Sequence, residues 1–450
     1  MAASTLLWFR QDLRLHDQPA LAAAIQQGAV IPVYVLDDET PGEWPIGGAQ
    51  RWWLHGSLAS LDASLREKGS RLILRRGPAV EVLKALLAET GAERVHAIRH
   101  YEPWWRKAEA ELGDALVLHD GNHLAPVEDV RTGSDAPFKV FAPFWRALQQ
   151  RMPPDEPLAA PDAIPAPRTW PKSDTLRSWE LLPSKPNWAT GFDWTPGEAA
   201  ADAAVERFAR ALEAYTTDRN LPSVEGTSRL SAHLHFGEIS PRQVWHALPG
   251  SGEGAEGFRR ELAWRDFTSG LILALPEYGT AHGRVKYDKL PWRHDAAELR
   301  AWQRGLTGYP IVDAGMRQLW VTGWMHNRVR MITASFLVKH LLHDWREGER
   351  WFWDTLIDAD YGNNSVNWQW VAGSGVDASQ WSRIMAPLVQ SEKFDAGGYI
   401  RRWVPELADV PDMAIHDPEE AGVRPKGYPP KIIGHREARE RALAAGKALR

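Results

Sequence analysis

The first 120 residues alternate between short apolar runs and helical patterns, and few folds accommodate that order. Runs at 5–9, 30–36, 71–74, 94–98 and 115–118 have the length and continuous apolar character of strands buried on both faces. Between them, 18–27, 49–68, 79–90 and 103–112 carry apolar residues at helical spacing. Strands separated each time by a helix cannot pair as tight hairpins. They predict a Rossmann-like, five-stranded parallel sheet with helices on both faces, in an α/β domain over residues 1–128. Such sheets bind ligands beyond the carboxyl ends of their strands. The glycine-rich turn of a dinucleotide site is missing there, because the first run continues as RQDLRLHDQ. The one G-x-G-x-x-G, at Gly252, Gly254 and Gly257, follows no strand and reads as a flexible loop. A nicotinamide oxidoreductase fails on that ground.

From 129 to 196 the pattern changes. Prolines crowd together between Pro153 and Pro186, periodicity fades, and the stretch reads as an interdomain linker wrapped on the surface. Helical periodicity then dominates 197–450, which predicts an all-α second domain. A hydrophobic share of 44% and a charged share of 25% over 450 residues suit a soluble globular protein of two domains. The chain has no cysteine, so disulfides, thiolate metal sites and thiol catalysis are excluded, and no metal is expected. The apolar run at the start is too short for a signal peptide and no segment is long enough to span a bilayer. A cytoplasmic protein without a membrane partner is the expectation. With a net charge of −5, any contact with nucleic acid must come from a local basic patch.

The compositional outlier is 24 tryptophans, and several fall in 323–370. Trp324, Asn327 and Met331 are spaced to share one helix face. Trp345, Trp351, Trp353, Trp368 and Trp370 follow, interleaved with Asp358, Asp360, Asn363 and Asn364. A plain core would use residues without donors to satisfy. Indoles, amides and carboxylates together point instead to a site for an aromatic ligand; the alternative is an aromatic core with a solvated acidic turn. Three clusters complement this stretch. Thr227, Ser228, Arg229 and Ser231 follow Gly226 at a helix start, where hydroxyls, amides and a guanidinium suit a pyrophosphate, or simply a helix cap. Glu261, Trp264, Arg265 and Thr268 share one helix face. Arg383, Gln390 and Lys393 lie downstream.

The ordered motifs WFRQDLRLHDQPAL, EGTSRLS, ELAWRDF, TGYPIVDAGMRQLWVTGWMHNRVRM, DWREGERWFWDTLIDAD, NWQW and EKFD…YIRRWVPEL resemble the photolyase/cryptochrome family over nearly the whole chain. The resemblance is strongest to its class I cyclobutane pyrimidine dimer photolyases. It implies an α/β antenna domain followed by an all-α FAD-binding domain. It further implies a monomer that repairs UV-damaged DNA, by light-driven electron transfer from reduced anionic FAD to a flipped-out dimer. A blue-light photoreceptor is the alternative.

By resemblance, Tyr215, Thr227, Ser228, Arg229, Leu230 and Ser231 would hold the flavin's phosphates. Arg330 would pair with Asp358, while Asp358 and Asp360 contact the flavin and its ribityl chain; Arg265, Trp324 and Asn327 complete the cofactor site. Asn364 would face the flavin nitrogen that gains a proton on one-electron reduction; an amide cannot deliver that proton, which favours repair over signalling. Glu261, Asn327 and Met331 would line the lesion site, with Trp264 and Trp370 stacked on the dimer. Trp368, Trp345 and Trp292 match the family's electron relay, with Trp292 in a polar surface turn. Arg219, Glu261, Trp264, Arg265, Asn327, Arg328, Arg383 and Gln390 would contact DNA. A second, light-harvesting chromophore of folate, deazaflavin or flavin type is left open. Pro103 and Trp104 stand near the place of the enterobacterial Asn–Glu folate ligands, and no lysine lies near Thr280.

Overall fold

In a computed structural model describing residues 4–378 and 380–449, five strands run parallel: β1 (Ser4–Phe9), β2 (Ala29–Leu36), β3 (Ile73–Arg76), β4 (Val95–Ile98) and β5 (Leu116–His119). Each lies within two residues of an expected run. Their order is β3-β2-β1-β4-β5. β1 takes the centre, with Leu6, Leu7, Trp8 and Phe9 fully buried. The crossovers are α1 (Pro19–Gln27), α2 (Gly48–Glu67), α3 (Ala79–Thr90) and α4 (Pro103–Leu112).

The glycine-free segment after β1 fills the crevice where the strand order reverses. Arg10 donates to Glu109 at 2.9 Å, and Arg14 donates to Asn122 Oδ1 at 2.8 Å and to the Gly121 carbonyl at 2.9 Å. Arg14 also reaches the Gly237 carbonyl at 2.9 Å, in the second half of the chain. Both arginines are buried and hydrogen-bonded, so the segment seals a domain seam where a phosphate nest would otherwise lie.

The stretch 129–196 departs from the expected surface linker. It contains α5 (Phe141–Gln149), whose Phe141, Phe144, Trp145 and Leu148 are buried in the helical core. These residues are spaced i, i+3, i+4 and i+7, a helical stripe that the surrounding prolines obscure. Beyond it, Ile164, Trp179 and Leu181 are buried against the first domain.

The remainder is helical as expected: α6 (Glu198–Ala211), α7 (Tyr215–Asp218), α8 (Ser231–His235), α9 (Pro241–Ala247), α10 (Glu253–Ala274), α11 (Ala296–Gln303), α12 (Pro310–Thr322), α13 (Asn327–Ser335), α14 (Trp345–Thr355), α15 (Tyr361–Ala372), α16 (Pro387–Lys393), α17 (Gly397–Trp403), α18 (Asp412–Ile415) and α19 (His435–Lys447). The glycines read as a loop belong to α10: Gly252 caps it, and Gly254 and Gly257 lie in its first turns. A Cβ on Gly254 would stand 1.8 Å from the Leu212 carbonyl oxygen, so the glycine permits a helix-to-backbone approach. Among the described residues, no helix is long and apolar enough to cross a membrane, and no cluster of three or more His, Asp or Glu could hold a metal.

Candidate functional site

α10, α13, α14, α15 and the turn before α8 surround a cavity of about 530 Å³, within the range of cofactor sites. Every residue expected at the cofactor or the lesion lines it, and so do Arg219, Arg328 and Trp368. Trp345, Trp292, Arg383 and Gln390 lie outside it.

In the inner half, Thr227, Ser228 and Leu230 turn into α8 and offer hydroxyls and helix-start amides. Arg229 adopts a left-handed φ of 59°, and its guanidinium lies 3.9 Å from the Trp324 ring centre. Trp324 does not share a helix with Asn327 and Met331. α12 ends at Gly323 (φ 69°), and α13 begins only after His326, leaving Trp324 buried in the intervening turn. The His326 ring accepts from the Arg328 amide at 3.2 Å. Burial, then Arg229, Arg328 and Arg330, lower its pKa to about 4, so it stays a neutral acceptor.

Arg330 grips Asp358 with two bonds of 3.0 and 2.8 Å, the pairing expected. Asp360 caps α15 by accepting the Asn363 amide at 2.7 Å. Burial alone would raise its pKa, but His235 (3.9 Å away), Arg265 and that amide hold it at about 2, a carboxylate at any working pH. His235 carries no local sequence signal; α8 brings it here. Asn364 donates its amide N–H to the Glu349 carbonyl at 3.1 Å, which leaves its oxygen as an acceptor.

In the outer half, Glu261 pairs with Arg219 at 2.6 Å. The guanidinium one turn along, Arg265, takes no part in this pair. It is committed to the carbonyls of Leu234 (3.0 Å) and Asn122 (3.4 Å), the latter in the first domain. The Trp264 ring lies 3.7 Å from that of Phe141, at 6°. Arg383 sits 5.2 Å from the Trp370 ring, and Arg328 bonds Asn220 at 2.5 Å. Burial lowers the Arg328 pKa, and so do Arg219 and Arg383, while Glu261 raises it, so three cations and one carboxylate act on this side of the site in a chain of net charge −5. Gln390, on α16, does not reach the cavity.

Beyond the cavity, the Trp345 indole donates to His282 at 3.3 Å, and His282 stacks with Trp292 at 6.4 Å. Trp292 is half-buried against Trp381, not set in an open surface turn. Trp368 lines the cavity and packs on Phe352 at 5.0 Å. Trp104, near the place of a folate ligand, is buried against Tyr361 at 5.1 Å.

The family model described as the FAD binding domain of DNA photolyase matches residues 258–448, and the DNA photolyase model matches 5–166. A deoxyribodipyrimidine photo-lyase of Agrobacterium fabrum is 47% identical, over 100% of this chain and 98% of its own length. Cryptochrome-1 of Arabidopsis thaliana is 35% identical, over 97% of this chain and 69% of its own. A crystal structure of a bacterial class III photolyase from Agrobacterium tumefaciens superposes with a TM-score of 0.94 at 46% identity, covering 100% of this chain and 98% of that one. Its class III label does not match the class I expectation, which is not carried forward. The cavity fits FAD on its own chemistry. Hydroxyls and helix-start amides suit a diphosphate, Asp360 and the Asn364 oxygen suit hydroxyl and ring N–H donors, and Met325, Phe352, Leu356 and Trp368 offer apolar surface for a ring system.

Proposed function

Because this chain belongs to the DNA photolyase and cryptochrome family, and is an FAD-dependent enzyme of the deoxyribodipyrimidine photo-lyase type, we propose that it splits cyclobutane pyrimidine dimers in UV-damaged DNA under light. One observation carries this reading. The residues suited to a flat cofactor and those suited to a flipped-out base pair line the same cavity, so donor and lesion would be held in contact. Reduced anionic FAD, when bound, supplies on excitation an electron that opens the dimer and then returns.

The protein's part is position and polarity. Thr227, Ser228 and Ser231 would hold the diphosphate of bound FAD, while Arg330 fixes Asp358 in the same cavity as Asp360. Glu261 accepts from a pyrimidine N–H, and Arg219, bonded to it at 2.6 Å, brings the positive charge that steadies the dimer radical anion. Trp264 and Trp370 sandwich the flipped bases, with Asn327 and Met331 beside them. Arg219, Arg328 and Arg383 hold the phosphates around the opening. Trp368, Trp345 and Trp292 would carry electrons from the surface toward the cofactor site, were a bound FAD to need reducing. Asn364, which offers no proton, speaks against a photoreceptor.

The test is incubation of the reduced protein with oligonucleotides bearing a thymine dimer or a six-four photoproduct, in blue light and in darkness. Splitting of the thymine dimer in the light alone is expected, with the six-four lesion untouched. Repair of the six-four lesion alone would overturn the assignment.

A further inference from the structure

The geometry points to Phe141 as a positioning residue for lesion recognition: its ring fixes the plane of Trp264 and so sets how tightly a flipped-out pyrimidine pair is held. The inference rests on the proposed role of Trp264 as a stacking platform and deepens it. Trp264 is half-buried on α10, and an indole there has two free torsions with which to swing. Phe141 removes that freedom on one side. The two rings lie 3.7 Å apart and within 6° of parallel, so one face of the indole is covered. Phe267 meets both rings edge-on, at 5.5 Å and 81° to Trp264 and at 5.7 Å and 80° to Phe141. A platform held on one face and one edge presents its other face to the cavity.

Phe141 is itself held. It is 5% exposed and opens α5, and its N–H donates to Asp377 Oδ2 at 3.1 Å. Asp377 lines the same cavity. A helix from the stretch between the two domains is therefore clamped between the cavity wall and the stacking residue. An ordered platform makes binding stronger by removing the cost of ordering it on contact. An aromatic pair contributes about 0.5–1.5 kcal/mol beyond its burial, which sets the expected effect at roughly two- to tenfold in affinity.

The experiment compares Phe141→Leu, Phe141→Tyr and Trp264→Ala, each loaded with FAD. Dissociation constants are measured for thymine-dimer DNA and for the same DNA undamaged, along with FAD stoichiometry and thermal midpoint. Phe141→Leu should weaken dimer binding roughly two- to tenfold, leave undamaged DNA and FAD stoichiometry unchanged, and be rescued by the aromatic Phe141→Tyr. In the Trp264→Ala background the Leu substitution should have no further effect on dimer binding. Should Phe141→Leu fail to fold, Phe141→Met keeps the volume without the aromatic face and carries the same expectation. Unchanged dimer affinity in Phe141→Leu, with Trp264→Ala weakened, would overturn the inference and leave the proposed function standing. Equal weakening for damaged and undamaged DNA would also overturn it. Unchanged affinity in Trp264→Ala would instead remove the platform on which the proposed function relies.

Discussion

Glu261 is the residue on which the chemistry depends most directly. Its carboxylate is oriented by Arg219 at 2.6 Å, so the lesion would meet a hydrogen-bonded pair, not a lone charge. Replacing it with Ala should lower the number of dimers split per absorbed photon by about tenfold, because a charge-assisted bond at the radical anion is lost. FAD content should stay at the wild-type level, since none of the groups suited to the diphosphate is touched. An unchanged quantum yield, measured by actinometry, would remove Glu261 from the mechanism. Glu261, Trp264, Arg265 and Thr268 were legible in the sequence because one helix face brings them together. The partner of Glu261 was not, since Arg219 lies on a separate element 42 residues away and no local spacing announces it. Trp324 shows the reverse failure. Its spacing to Asn327 suited a helix, but Gly323 in the left-handed region ended one helix and His326 capped the next.

At the scale of elements, the strands were legible because β1, β2 and β4 are buried almost throughout, which leaves few polar positions to blur their runs, while the edge strands β3 and β5 are short and less buried. α5 escaped notice because flanking prolines hid its stripe, and the start of α10 because three glycines looked like a loop. The α10 glycines now make opposite predictions. In Gly254→Ala the new methyl meets a backbone oxygen, Leu212 O at 1.8 Å, which cannot give way as a side-chain end can. The strain should exceed the helix gain and destabilise the protein by about 1–3 kcal/mol. In Gly257→Ala the nearest atom is Thr216 Cγ2 at 3.5 Å, an ordinary contact. That variant should be more stable by up to about 1 kcal/mol, the helix preference of Ala over Gly. Urea denaturation of the two variants checks both signs. Stabilisation by both would mean that α10 does not approach Leu212 so closely.

Across the whole molecule, an α/β half followed by a helical half was legible from the change of period, but the polar seam that joins them was not. Asp266 of α10 accepts the Leu124 amide of the first domain at 2.8 Å, and burial pushes its carboxyl up to about 7 against the opposing pull of Arg265. Glu102 is likewise raised to about 7, by burial and then by Asp360. In the unfolded chain both ionise near 4. Between about pH 4 and 7 the folded protein thus keeps protons that the unfolded chain has released, and these groups lower its stability as pH rises through that window. Asp266→Asn should flatten the fall by up to a few kcal/mol, read from denaturation curves at pH 5 and pH 7.5; parallel curves would exclude the effect. The central claim, an electron lent to the lesion and returned, concerns the assembled enzyme and is tested most directly by repeated flashes. Protein with reduced FAD and excess thymine-dimer DNA is sealed without any external reductant, and dimers and flavin absorbance are followed flash by flash. The account predicts many dimers split per protein, none between flashes, and a flavin spectrum that is the same at the end as at the start. Splitting that stops after one dimer per protein, with the flavin left oxidised, would contradict it.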